Sequence, residues 1–209
     1  MQIRKEHMHS GALLGIWKMT ETRNELLTFF PAALRGEADR HLEKIRSERR
    51  SIEWLSTRIM LIQLLGEEKI IQNREDGSPF LEDGGHFISI SHTRDYAAML
   101  LHPDVPVGID IEMRTERISR IANKFIAANE FIDPEQKTVH QLLHWSAKES
   151  LFKLIGLRGI DFREHLHIGP FTPDVSGVMQ ATETRSAASR SYTIHYEIHP
   201  SYVLTWTTG

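Results

Sequence analysis

Apolar positions recur at helical spacing through the first third of the chain. Thr20 stands where it can cap a helix over 21–30, and Pro31 stops it. A longer helical stretch follows Gly36, marked by Leu42, Ile45, Ile52, Leu55, Ile59 and Ile62, with Gly66 near its end. The pattern then changes to short apolar runs broken by turn residues. FISIS from Phe87, YAAMLL from Tyr96 and VGIDIE from Val107 read as strands, with the turn-like HPDVP between the last two. Helical spacing returns over 114–128, where Ile118, Ile121 and Phe125 make the stripe, and over 135–156. Short strands are expected at HLHI, SYTIHYEI and YVLTW, separated by FTPDVSG and the polar ATETRSAASR. Adjacent strands with separate helices predict an α+β fold rather than alternating βαβ units. If there are two lobes, HPDVP is the natural joint, which gives an N-terminal lobe over 1–104 and a C-terminal lobe over 105–209.

Composition narrows the classes. The 209 residues carry 28 acids against 25 bases, a formal net charge of −3, so any anion site must be built locally and nucleic acid is not an expected partner. With no cysteine, disulfides and thiolate metal sites are excluded. The start MQIRKEHMHS lacks the apolar core of a signal peptide, and no stretch approaches the ~20 apolar residues of a membrane helix. A soluble, cytoplasmic protein with no membrane partner is expected.

The chemistry lies in two segments. Along a strand at Val107–Glu112, side chains alternate, so Gly108, Asp110 and Glu112 share one face. Two acids there repel unless solvent, protons or a cation relieves them, and Gly108 leaves room for something to approach the backbone. On the helix that holds Trp145–Lys153, Leu142, Trp145, Phe152 and Gly156 fall within about 60° of Glu149. That carboxylate sits in a mainly apolar stripe and needs a lysine, an arginine or a metal. Lys148 and Lys153 project toward the edges of the stripe. Asp110, Glu112 and Glu149, with no soft ligand, describe a hard-cation site that suits Mg2+. His140 and His144 have zinc-like spacing but point about 180° and 140° away from Glu149, which favours packing. His165 and His167 lack a third ligand, and Ser89 and Ser91 beside His92 lack a nucleophile elbow.

VGIDIE and WSAKESLFK resemble the paired signatures of the 4′-phosphopantetheinyl transferase superfamily, in the same order. Gly77-Ser-Pro79, Ser89–Thr93, and Arg117-Ile118 with Phe125 and Glu130 resemble further family segments. Ile52 and Ser78 depart from it, since a base is commoner at both places. Length and single copies of each signature are similar to the monomeric surfactin-type branch. The resemblance implies two similar α+β lobes related by a pseudo-twofold, with the active site between them, and a monomer. It implies that Asp110, Glu112 and Glu149 hold magnesium, and that Lys153 and His92 contact phosphates of coenzyme A. Arg49, Arg50 or Arg58 would meet its 3′-phosphate. The implied reaction moves the 4′-phosphopantetheine arm of coenzyme A to a serine of an acyl or peptidyl carrier protein and releases 3′,5′-ADP. Glu149, Glu130 or a metal-bound water would take the serine proton. Arg114, Arg117, Arg120 and Lys124 would form a basic helical ridge toward an acidic helix of the carrier. The alternatives on the same acids are a magnesium-dependent nuclease or phosphohydrolase, and a non-catalytic carrier-protein-binding homologue.

Overall fold

A computed structural model describes residues 1–209. The chain is a mixture of helices and antiparallel sheets and divides into two compact units, Met1–Asp104 and Val105–Gly209.

The first unit opens with a strand pair, β1 (Gln2–His7) and β2 (Leu13–Lys18), where no strand is anticipated from the pattern. Leu13 to Trp17 are buried throughout, because β2 is an inner strand of its sheet. An inner strand shows no alternation, so its run of apolar letters does not announce a strand. Helix α1 (Arg23–Phe29) is capped by Thr22 and not by Thr20. Thr22 and Glu25 form a reciprocal capping box, with the Thr22 N–H donating to Glu25 Oε2 at 2.8 Å. Phe30, before Pro31, is extended and ends the helix. The long helical stretch is two helices, α2 (Arg35–Leu42) and α3 (Glu48–Leu65), because Ser47 starts a new one by accepting from the Arg50 N–H. Gly66 closes α3 in the left-handed region at φ 73°. A small hairpin follows, β3 (Ile71–Asn73) with β4 (Pro79–Leu81). Then β5 (Phe87–His92) and β6 (Tyr96–His102) complete a four-stranded sheet in the order β1-β2-β6-β5. Leu55, Ile59, Met60 and Leu64 of α3 pack against Trp17, Met99 and Leu101 to form the core.

The second unit begins with β7 (Val107–Met113). The expected helix over 114–128 is instead two 3-10 turns, Glu116–Arg120 and Ala122–Lys124. Weak helix formers such as Thr115, Ile118, Ile121 and Asn123 fill this segment. Its buried anchors are Ile118, Ala122 and Phe125, while Ile121 is exposed. Helix α4 (Lys137–Ile155) ends at Gly156, φ 63°. It lies on a five-stranded antiparallel sheet in the order β7-β11-β10-β9-β8, built from β8 (Leu166–Ile168), β9 (Ser176–Glu183), β10 (Arg190–Ile198) and β11 (Tyr202–Thr208). Strand β9 runs through residues whose letters read as a separator. Its inner face is Met179, Ala181 and Glu183, too small and too polar to give a strand signal. Leu142, Leu143, Ala147 and Leu151 of α4 meet Met179, Ala181, Ile194 and Val203 in the core.

Candidate active site

The face of β7 that carries Gly108, Asp110 and Glu112 turns toward α4. What approaches Gly108 is the helix itself: a Cβ there would lie 1.9 Å from the Ser150 carbonyl oxygen and 3.1 Å from Leu154 Cβ. Small residues on the helix complete the close fit. Ser146 Oγ meets Thr205 Oγ1 at 2.9 Å, and Ser150 Oγ donates to the Thr205 carbonyl at 3.1 Å. Thr205 pairs with Asp110 across β7 and β11, so these bonds seat the helix directly over the acidic strand. Neither serine nor Thr205 carries a signal of this role in the sequence beyond its small size.

This seating brings Asp110, Glu112, Glu149 and Lys153 together. Lys153 Nζ donates to Asp110 Oδ1 at 2.8 Å and to the Ile109 carbonyl at 3.0 Å. The Trp145 indole donates to Glu112 Oε1 at 2.8 Å. Burial, reinforced by Asp110 and Glu149, pushes the Glu112 carboxyl up to about 7, against the pull of Trp145 and Lys153. Burial and then Asp110 raise Glu149 as well, with Lys153 opposing. The three acids thus feel one another's charge, yet they are neighbours rather than a closed three-ligand cluster. The stripe holding Trp145, Glu149, Phe152 and Lys153 is the half-exposed side of α4, not its core side as the wheel suggests. Beside Glu112 lies a cavity of ≈ 430 Å³ lined by Trp145, Leu142, Ile118, Ile121, Arg117 and Arg120.

Residues 106–207 match the sequence profile of the 4′-phosphopantetheinyl transferase superfamily, and every group of this cluster falls within that match. Over this unit the chain is similar to the 4′-phosphopantetheinyl transferase superfamily. It is 34% identical over 103 residues to the 4′-phosphopantetheinyl transferase gsp of Aneurinibacillus migulanus, covering 47% of this chain and 43% of the relative. To the 4′-phosphopantetheinyl transferase psf-1 of Bacillus pumilus it is 32% identical over 122 residues, 56% of this chain and 50% of the relative. To the L-aminoadipate-semialdehyde dehydrogenase-phosphopantetheinyl transferase of Xenopus laevis it is 27% identical over 145 residues, 58% of this chain and 47% of the relative. The matched regions span about half the length of these relatives.

Against the family signatures, two residues have unforeseen positions. Lys148 does not edge the stripe: it is fully buried, and its ammonium donates to the Phe125 carbonyl at 2.6 Å, the Phe162 carbonyl at 3.0 Å and Glu130 Oε2 at 2.7 Å. Glu130, a candidate proton acceptor, is the other half of that buried pair. Its Oε2 also accepts the Ala127 N–H at 2.7 Å and its Oε1 the Ile168 N–H at 2.8 Å. Burial alone would raise the Glu130 carboxyl, but His144, Lys148 and the Ile168 amide bring it down to about 2. Both oxygens of this carboxylate are thus engaged by the chain's own donors. His140 and His144 are fully buried and pack on Phe171.

The other candidates lie in the first unit. His92 is half exposed, with Nδ1 3.7 Å from Glu53 Oε1, the oxygen that Arg49 Nε reaches at 2.9 Å. Arg49 and His92 therefore meet at Glu53. Arg50 is an exposed residue in the first turn of α3. Arg58 lies apart from them, stacked 4.2 Å over Trp54 and donating to Thr57 Oγ1 at 3.2 Å, and burial lowers its guanidinium to about 10 against the weaker opposing pull of Glu37. No helix is long and apolar enough to cross a membrane.

Proposed function

We propose that this protein transfers the 4′-phosphopantetheine arm of coenzyme A to a serine of an acyl or peptidyl carrier protein, releasing 3′,5′-ADP. The observation that carries this reading is the anionic cluster itself. Asp110, Glu112 and Glu149 share one strand–helix contact with Lys153, inside the segment that matches the family. Three hard oxygen donors, with the Glu112 and Glu149 carboxyls raised by burial and by Asp110, suit a divalent cation, and magnesium is the one we expect them to hold. When bound, it would neutralise diphosphate charge and polarise the reacting phosphorus.

The remaining work falls to the chain's own groups. Lys153, whose ammonium is partly exposed beside Asp110, is a positive charge on a flexible stem able to meet diphosphate oxygens. The carrier's serine oxygen attacks the β-phosphorus, and the bond from that phosphorus to the oxygen of the departing 3′,5′-ADP breaks. The serine proton goes to Glu149, which is half-exposed beside the cluster, whereas both oxygens of Glu130 are occupied. Positioning and charge neutralisation carry such a transfer more than covalent help does. Arg117 and Arg120 rim the cavity next to Glu112 and suit an acidic partner surface. His92 and Arg49 are the first-unit groups we assign to phosphate contact, and the protein acts as a cytoplasmic monomer on this reading.

The test is direct. The full chain is incubated with coenzyme A, magnesium and an apo-carrier protein, and the carrier is weighed by mass spectrometry. A gain of one phosphopantetheine group, abolished in Asp110→Asn, is expected. Hydrolysis of DNA or of phosphate esters with no change in carrier mass would overturn the proposal.

A further inference from the structure

Asp110 already holds a cation, and it belongs to the chain. From the last turn of α4, Lys153 reaches down to take Asp110 Oδ1 at 2.8 Å and the Ile109 carbonyl at 3.0 Å. The two partners differ in freedom: the aspartate side chain is 5% exposed and the lysine 26%. A carboxylate at that depth requires positive charge beside it in every state of the protein. The lysine, with a flexible four-carbon stem at the surface, is the partner that can leave. Glu112 is held differently, by the neutral indole of Trp145.

We infer that Lys153 is a stand-in cation, neutralising Asp110 while the site is empty and giving it up when a divalent metal arrives. This rests on the magnesium reading above, under which ammonium and metal compete for one oxygen set. The diphosphate of coenzyme A then offers the displaced ammonium a new anion. Metal and coenzyme A therefore help each other to bind, and Lys153 is the element that couples them. Its role toward the metal is one of positioning and exchange, separate from any contact it makes with the transferred group.

Mn2+ is the probe, titrated into the full-length protein without coenzyme A and read as free ion by electron paramagnetic resonance. Lys153→Met is expected to bind Mn2+ about tenfold more tightly than the parent, a usual size for coupling between two sites. Lys153→Gln, which keeps polarity without charge, should do the same, and its melting temperature, lowered by the loss of Asp110's partner, should be raised by Mn2+ more than the parent's. Adding coenzyme A should tighten Mn2+ binding more in the parent than in either variant. Equal or weaker Mn2+ affinity in both variants, with parental binding that Asp110→Asn abolishes, overturns the role of Lys153 and leaves the metal reading intact. Absence of Asp110-dependent Mn2+ binding in every protein, with and without coenzyme A, overturns the metal reading and the lysine exchange together.

Discussion

Gly108→Ala separates the seating of the helix from the chemistry it supports. The added methyl carbon would lie 1.9 Å from the Ser150 carbonyl oxygen and 2.9 Å from its carbon, both backbone atoms of α4. A tolerable C···O contact is about 3.3 Å, so the helix must retreat by roughly 1.4 Å. Overpacking of this kind costs roughly 1–3 kcal/mol. The retreat also stretches the bonds that tie α4 to the sheet, Ser146 to Thr205 at 2.9 Å, Trp145 to Glu112 at 2.8 Å and Lys153 to Ile109 at 3.0 Å, beyond hydrogen-bonding range. Each such loss adds about 1 kcal/mol, which brings the total to roughly 4–6 kcal/mol. For a chain of this size that corresponds to a melting temperature lower by about 8–24 °C. Transfer should fall by about 10²-fold even in the folded fraction, because the acids and Lys153 move apart by more than 1 Å. The control is Gly36→Ala in α2, where the nearest atom to a new Cβ is the flexible end of Arg40 at 3.7 Å; it should stabilise by up to about 1 kcal/mol. Thermal denaturation and single-turnover transfer decide the matter. A Gly108→Ala protein that melts within about 2 °C of the parent and transfers at its rate would refute the reasoning.

The remaining expectations concern charge. Glu130→Gln strands the Lys148 ammonium in the core and should cost about 3–5 kcal/mol in urea denaturation, while Glu130→Gln with Lys148→Met should recover much of it; a double variant no better than the single would argue against a buried pair. His140 is lowered to about 4 by burial and the nearby His144, with Asp133 opposing, so its stabilising effect is lost as pH falls from about 6.5 to 4. Glu112, raised to about 7, works in the opposite sense, because its ionisation penalises the folded state as pH rises from about 4.5 to 7. The two offset each other in the parent, and Glu112→Gln should expose a steeper loss of stability below pH 6.5; superimposable profiles would contradict this. Arg117→Glu with Arg120→Glu should weaken use of the carrier most at low ionic strength, with coenzyme A affinity near normal; unchanged carrier kinetics at low salt would return both arginines to a solvent role.

What could be read in the letters was whatever sat on a long, regular element. VGIDIE and WSAKESLFK lie on β7 and α4, and the alternation of β7 put Asp110 and Glu112 on one face, where the structure has them. What could not be read depended on partners distant in sequence. β2 is buried from Leu13 to Trp17, and its apolar run carries no period. The 114–124 segment has helical spacing but closes by i+3 bonds, Ile121 N–H to the Ile118 carbonyl and Lys124 N–H to the Ile121 carbonyl. Arg117 and Arg120 still share a side there, because residues three apart eclipse in a 3-10 turn, but Lys124 belongs to the next turn and the ridge does not extend to it.

The wheel misjudged α4 for a related reason, and the error bears on how its signature should be tested. A helix that is buried on most of its circumference cannot be oriented by its apolar letters, since polar residues also point inward. Lys148 and Glu149 are adjacent and about 100° apart on the helix. The first turns into the core, where it ties the Phe125 and Phe162 carbonyls and Glu130 into one knot; the second faces Asp110 and the half-exposed side. Two charges in one signature therefore fail in different ways. Glu149→Gln removes a carboxylate that burial and Asp110 already disfavour, so it should leave the melting temperature unchanged or higher while transfer is lost. Lys148→Met strands Glu130 and should lower the melting temperature, with transfer falling only as the folded fraction falls. If Lys148→Met instead abolished transfer at parental stability, the buried lysine would have to reach the reacting groups, and the division of labour along α4 would be wrong.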